Sequence, residues 1–163
     1  MRRGNATFRF PVDSERKHQV VFRPDERGVV MTPFVKQVVA VLCGGALGAV
    51  CRVEVGRAVM NALGGTFPLG ILSVNMIGSF LLGLLMGTAS RVRHGYPTAT
   101  AFLATGFFGG FTTFSSFALD TVTLWAADHA LYALLNILLN TTLCVTLAGL
   151  GWILGAPRRI GQA

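Results

Sequence analysis

The sequence predicts an all-α membrane protein with four transmembrane helices. Hydrophobic residues make up 52% of its 163 residues, charged residues only 13%, and the mean hydropathy is +0.59. The apolar residues are gathered into four blocks, each long enough to cross a hydrocarbon core of about 30 Å at about 1.5 Å per helical residue. The length of the whole chain fits one domain and leaves no room for a separate soluble enzyme.

The first two predicted spans differ in their polar content. The first begins at Phe34 and runs to about Val55, and its Gly44 and Gly48 have the four-residue spacing that lets two helices approach closely. The second covers 69–89 and holds Asn75 well inside. Because an unsatisfied amide is costly in hydrocarbon, Asn75 must bond to another helix, to water or to an ion.

The third apolar segment, from about Thr98 to Trp125, contains the run GFFGGFTTFSSF at 106–117. Glycines followed by hydroxyl residues in mid-membrane predict a broken helix, whose freed carbonyls are tolerated where they are buried or line a polar cavity. Such a break can hold an ion. The alternative is a glycine hinge whose phenylalanines face lipid.

Phe114 and Phe117 are three residues apart, which places them on one face if the helix resumes after the break. The positive rim of an aromatic ring can hold a dehydrated anion without a trapping charge, although plain core packing is the commoner use of such a pair. The fourth span, Ala130 to Gly155, adds Asn136 and Asn140 on one face. Their amides suit an anion that accepts hydrogen bonds, or they join two subunits.

The polar ends of the chain indicate its topology. Residues 1–33 are polar and rich in charge and predict a disordered tail, and 157–163 form a short basic tail. All lysines and arginines except Arg52 and Arg57 lie on the side of both termini, which predicts cytoplasmic termini in the cell inner or plasma membrane. Since this basic charge flanks apolar spans, nucleic acid is not an expected partner.

Several kinds of chemistry have no support in the sequence. There is no serine, histidine and carboxylate set at a plausible depth, no phosphate loop and no metal-ligand cluster. The cysteines, Cys43, Cys51 and Cys144, lack the spacing of a zinc or redox site and are interpreted as packing residues. We therefore predict that the protein is not an enzyme.

Three blocks resemble the Fluc/CrcB fluoride channel family: GGALGAVCR at 44–52, GILSVNMIGSFLLG at 70–83 and GFFGGFTTFSSF at 106–117. The likeness covers about Val35 to Gly155. It implies an antiparallel, dual-topology-type dimer with two fluoride pores and a central structural sodium ion that is not transported. Passive fluoride efflux would then lower cytoplasmic fluoride.

The resemblance also implies roles for individual residues. Gly109 and Thr112 would offer backbone carbonyls to sodium, and Arg52 would occupy the aqueous vestibule. The residues implied for the fluoride pore are Asn75, Thr113, Phe114, Ser116, Phe117, Tyr132 and Asn136.

The charge bias departs from the family pattern, because a subunit that inserts both ways normally has little bias. Either the chain forms an antiparallel homodimer, as the family does, or it inserts one way and pairs with an oppositely oriented homologue. Two other functions stay open at this point. One is a proton-coupled cation or drug exporter using an acid such as Glu54, and the other is an assembly subunit that is inactive alone.

Overall fold

The computed structural model describes residues 32–90 and 97–156, and within these ranges every regular element is helical. Four helical segments are long and apolar enough to cross a membrane, so the prediction of four spans is confirmed. The predicted tails lie outside the described residues, apart from Thr32 and Pro33. In chain order the elements are α1 (Pro33–Leu63), α2 (Leu69–Ala89), α3 (Pro97–Thr100), a π-helix (Ala101–Phe108), α4 (Gly109–Phe111), α5 (Phe114–Ala126) and α6 (Ala130–Gly155).

Helix α1 has signals at both ends that explain its bounds. Thr32 caps its start, where the side-chain oxygen accepts from the N–H of Val35 at 3.4 Å, and Pro33 occupies the first turn. The helix continues beyond the predicted end at Val55 as far as Leu63. It stops there because Gly64 adopts a φ of 65°, a conformation that favours glycine.

Glycines let the helices pack with their backbones in contact. A Cβ atom at Gly151 on α6 would overlap the carbonyl oxygen of Phe80 on α2, and one at Gly83 would overlap that of Ala148. Similar contacts join α1 to the π-helix, where Cβ atoms at Gly44 and Gly48 would meet the carbonyl oxygens of Phe102 and Phe107. The close approach predicted from the spacing of Gly44 and Gly48 is confirmed.

The core inside this chain is small and partly polar. Its buried apolar side chains include Leu72, Val74 and Phe117, whereas many large apolar side chains on the described helices are exposed, as expected where lipid or another subunit replaces water. Among the described residues, four polar side chains are as fully buried as these apolar ones. They are Asn75, Thr113, Asn136 and Asn140.

Candidate functional site

The third span changes backbone conformation at two threonines. Helix α4 ends at Phe111 and α5 begins at Phe114, while Thr112 (φ −79°, ψ 155°) and Thr113 (φ −152°, ψ 119°) are extended. The N–H of Thr112 still donates to the Phe108 carbonyl at 3.0 Å, as in a helix. The series stops after this bond, so the N–H and carbonyl of Thr113 need other partners. The site is built around these partners.

Asn75 on α2 supplies two of them. Its Nδ2 donates to the carbonyl oxygen of Thr113 at 3.1 Å, and its Oδ1 accepts from the N–H of Thr113 at 2.8 Å. A side-chain amide thus pairs with the Thr113 backbone much as a neighbouring β-strand would. The requirement that Asn75 must find a polar partner is met here by the protein itself.

The hydrogen bonds of Asn75 continue onto α6. Its Nδ2 also donates to Oδ1 of Asn140 at 3.0 Å, and Nδ2 of Asn140 donates to the carbonyl oxygen and Oδ1 of Asn136 at 3.2 and 2.9 Å. Asn136 in turn donates to Thr121 Oγ1 at 2.9 Å and to the Phe117 carbonyl at 3.5 Å. We call Asn75, Asn140 and Asn136 the asparagine relay. It connects α2, α6 and α5 through buried amides.

Hydroxyl groups gather where α5 begins. Thr113 Oγ1 accepts from the N–H of Ser116 at 3.2 Å and caps the helix. The same oxygen lies 3.1 Å from Ser115 Oγ and 3.1 Å from Ser116 Oγ. Three side-chain hydroxyls therefore share one small region beside the Asn75 amide.

We call the extended residues Thr112 and Thr113 the interruption of the third span. Two backbone carbonyls there lose the N–H groups that an uninterrupted helix would supply. The helical partner of the Gly109 carbonyl is the N–H of Thr113, which donates to Asn75 instead. The helical partner of the Thr112 carbonyl is the N–H of Ser116, which donates to Thr113 Oγ1. Open space lies beside Gly109, since a Cβ there would meet no atom within 4 Å.

Phe114 and Phe117 form an edge-on aromatic pair at the start of α5. Their ring centroids are 5.3 Å apart and their planes are inclined at 63°. Phe117 is buried, with 9% of its surface exposed, whereas Phe114 is 79% exposed. The pair thus extends from the interior of this chain to its surface.

A cleft of about 440 Å³ lies beside the first turns of α5, between α1, α2 and α5. It is lined by Arg52, Ser116 and Asp120, among others. Within the part of the chain that the structure describes, Asp120 Oδ2 is buried without a hydrogen-bond partner. The cleft therefore brings a cation, a hydroxyl and a carboxylate to one side of the interruption.

The structure brings most of the predicted site residues together, and it places one apart. Asn75, Thr113, Ser116, Phe117 and Asn136 are linked through the contacts described above. Tyr132 instead packs edge-on against Phe67, with centroids 6.0 Å apart, and beside His129.

Two contacts were not foreseen from the sequence. One is the hydrogen bond between Asn75 and Asn140. The other is the hydrogen bond from Asn136 Nδ2 to Thr121 Oγ1. Thr121 lies four residues after Phe117 and on the same helical face, and this spacing could have indicated that Thr121 belongs to the site.

Comparison with known proteins covers the whole region of the site. Residues 39–152 match the family described as CrcB-like protein, Camphor Resistance (CrcB). The chain is 45% identical to the fluoride-specific ion channel FluC of Parabacteroides distasonis over 119 residues, which cover 73% of this chain and 92% of that protein.

Relatives of the same name show similar coverage. For Pseudoalteromonas translucida the identity is 39% over 66% of this chain and 90% of the relative. For Hahella chejuensis the identity is 41%, over 68% of this chain and 87% of the relative.

Proposed function

This chain belongs to the CrcB family, and we propose that it is a fluoride-specific channel through which fluoride leaves the cytoplasm passively. The observation that carries the proposal is an edge-on phenylalanine pair next to buried amides at an interruption of a membrane-spanning helix. The names of the relatives agree with it, since each is called a fluoride-specific ion channel. These are channels rather than enzymes, in line with the sequence-based prediction.

The proposed pore uses neutral groups to hold a dehydrated anion. The hydrogen-bearing edges of Phe114 and Phe117 attract fluoride through the positive rim of each ring, and the Asn75 amide donates a hydrogen bond. No fixed cation touches the anion at this point, so it binds firmly enough to enter and weakly enough to leave. Thr113 and Ser116 extend the polar surface next to Asn75.

The cleft beside Ser116 is the proposed vestibule. Arg52 lies on its wall and makes the entrance attractive to an anion before the anion loses its water. Asn136 continues the polar surface along α6, and Tyr132 is assigned to its outer end, one helical turn before Asn136.

The carbonyls of Gly109 and Thr112 suit a sodium ion. Their usual helical donors bond elsewhere, which leaves two oxygens available at the interruption, and sodium prefers oxygen ligands of this kind. The open space beside Gly109 is consistent with an ion or a second chain at this point. Bound there, sodium would act as a structural charge that holds the two subunits together and would not be transported.

We further propose that two subunits pair in antiparallel orientation, because the half-exposed aromatic pair needs a second wall. The exposed face of α5, which includes Phe114, Leu119, Val122 and Trp125, offers an apolar surface for it. The exposed apolar residues of α1 and α6 suit contact with lipid. The partner is a second copy or an oppositely oriented homologue.

Cysteine labelling of the N-terminal tail in whole cells decides between these partners. Label on both faces of the membrane supports the homodimer, and label on the cytoplasmic face alone supports the oriented subunit in the inner or plasma membrane.

The proton-coupled exporter finds little support in the structure. Its candidate acid, Glu54, lies exposed on α1 and pairs with Arg57 at 3.4 Å. Such a pair at a helix surface is a weak interaction, and Glu54 does not line the cleft beside Ser116.

Reconstitution into liposomes tests the proposed function. The purified chain is placed in vesicles loaded with sodium fluoride, and efflux is followed with a fluoride electrode against vesicles loaded with sodium chloride. We expect rapid fluoride efflux and little chloride movement. Silence of the chain alone and together with a homologous partner would overturn the proposal.

A further inference from the structure

The asparagine relay runs in one direction. Each amide donates its hydrogens to the next residue, from Asn75 to Asn140, from Asn140 to Asn136, and from Asn136 to Thr121. Thr121 Oγ1 then donates to the Phe117 carbonyl at 2.8 Å, where the series ends. The two hydrogens on Asn75 Nδ2 go to the Thr113 carbonyl and to Asn140 Oδ1.

Backbone groups determine this direction. An N–H can only donate and a carbonyl can only accept, so the two bonds between Asn75 and the backbone N–H and carbonyl of Thr113 identify which atom of Asn75 is oxygen. The bond from Asn140 Nδ2 to the Asn136 carbonyl does the same for Asn140. The amide oxygen of Asn140 therefore faces the amide nitrogen of Asn75.

This arrangement matters for any anion that reaches Asn75. Fluoride only accepts hydrogen bonds, and an Nδ2 hydrogen of Asn75 becomes available to it when an oxygen already bound there is displaced. The Thr113 carbonyl is held in the chain backbone, whereas Asn140 Oδ1 is a side-chain atom that can move aside. A charge-assisted bond to an anion is about twice as strong as a neutral one, so the exchange favours fluoride, but by less than binding to a free donor would.

Resting on the fluoride channel function proposed above, we propose that Asn140 is a built-in competitor of fluoride at Asn75. Asn140 Oδ1 accepts the hydrogen bond from Asn75 Nδ2 when no anion is present, and it forms this bond again when the anion leaves. Asn140 thereby lowers the affinity for fluoride and shortens its stay, which favours fast conduction. It acts through Asn75 as a positioning residue.

Replacing Asn140 with leucine removes the competing oxygen and keeps a side chain of similar size that excludes water. We expect the dissociation constant for fluoride, measured by titration calorimetry on the purified protein, to fall about tenfold, which is about 1.4 kcal/mol. The maximal rate of fluoride efflux should fall as well. Added fluoride should raise the melting temperature of N140L more than that of the wild type.

Two further variants separate competition from a purely structural role. Asn140→Asp restores an oxygen that faces Asn75 and should bind fluoride no more tightly than the wild type. Thr142→Val, on the same helix, removes an exposed hydroxyl that bonds to its own helix at Leu138, and should change neither binding nor efflux.

Each outcome decides the matter. A wild-type chain that conducts fluoride while N140L binds it equally or more weakly overturns the competitor role alone, whereas a wild type that neither binds nor conducts fluoride overturns both proposals. If N140L does not fold, Asn140→Ala removes the same oxygen and is judged by the same measurements.

Discussion

Asn75 binds both backbone polar groups of Thr113, with its Nδ2 on the carbonyl at 3.1 Å and its Oδ1 on the N–H at 2.8 Å. This pairing satisfies the N–H and the carbonyl of an extended residue in the middle of a membrane span. An amide on α2 and the interruption of the third span therefore form one structural unit.

The first prediction concerns this unit. Asn75→Leu leaves the N–H and carbonyl of Thr113 without partners, and each unsatisfied buried group costs about 1–3 kcal/mol. We expect a marked fall in melting temperature of the detergent-purified protein. Thr146→Val, which removes an exposed hydroxyl bonded to its own helix, is the control and should melt like the wild type. Equal melting of N75L and the wild type would show that the pairing contributes nothing to stability.

The second prediction concerns the ring edges. Phe114→Ile keeps an apolar side chain but removes the aromatic hydrogens, so fluoride efflux from liposomes should fall at least about tenfold, or about 1.4 kcal/mol. Leu119→Ile, which also changes an exposed apolar residue of α5, should conduct normally. If efflux survives the loss of both Phe114 and Phe117, the ring edges do not form the pore.

The third prediction concerns helix packing. A Cβ at Gly151 would overlap the Phe80 carbonyl, so Gly151→Ala should push α6 from α2 and destabilise the protein by about 1–3 kcal/mol. Gly149 lies on the same helix and a Cβ there meets no atom within 4 Å, so Gly149→Ala should be neutral or slightly stabilising. Thermal unfolding of both variants checks the difference, and equal melting temperatures would contradict the packing described.

The fourth prediction concerns sodium. Replacing sodium with N-methylglucamine on both sides of the membrane should reduce efflux and lower the melting temperature, because the carbonyls of Gly109 and Thr112 lose the cation proposed to join the subunits. Returning sodium should restore both quantities. Unchanged efflux and stability would remove sodium from the proposal while leaving the pore intact.

The fifth prediction separates channel from exporter. Glu54→Gln removes an exposed carboxylate paired with Arg57, so fluoride efflux should stay at the wild-type rate. A proton gradient should also fail to drive fluoride or an organic cation uphill. An exporter would stop transporting its substrate when this acid is neutralised.

The sequence by itself determined the number and approximate bounds of the spans, because the length and apolar content of each block are local properties that match the thickness of a bilayer. It also indicated that Gly44 and Gly48 allow close packing, since their spacing places them on one helical face. The prediction of a broken helix in 106–117 likewise depends only on residues that are neighbours in the chain. The same is true of the prediction that Asn136 and Asn140 share one helical face, which rests on their four-residue spacing.

Only the tertiary structure decided what these residues contact. Asn75 and Asn140 are far apart in the chain, and a sequence pattern carries no information about which two helices face each other or in which register. The same holds for the backbone N–H and carbonyl of Thr113, whose partner is a side chain on another helix. A buried amide must satisfy its hydrogen bonds, but the helix packing determines which groups are within reach.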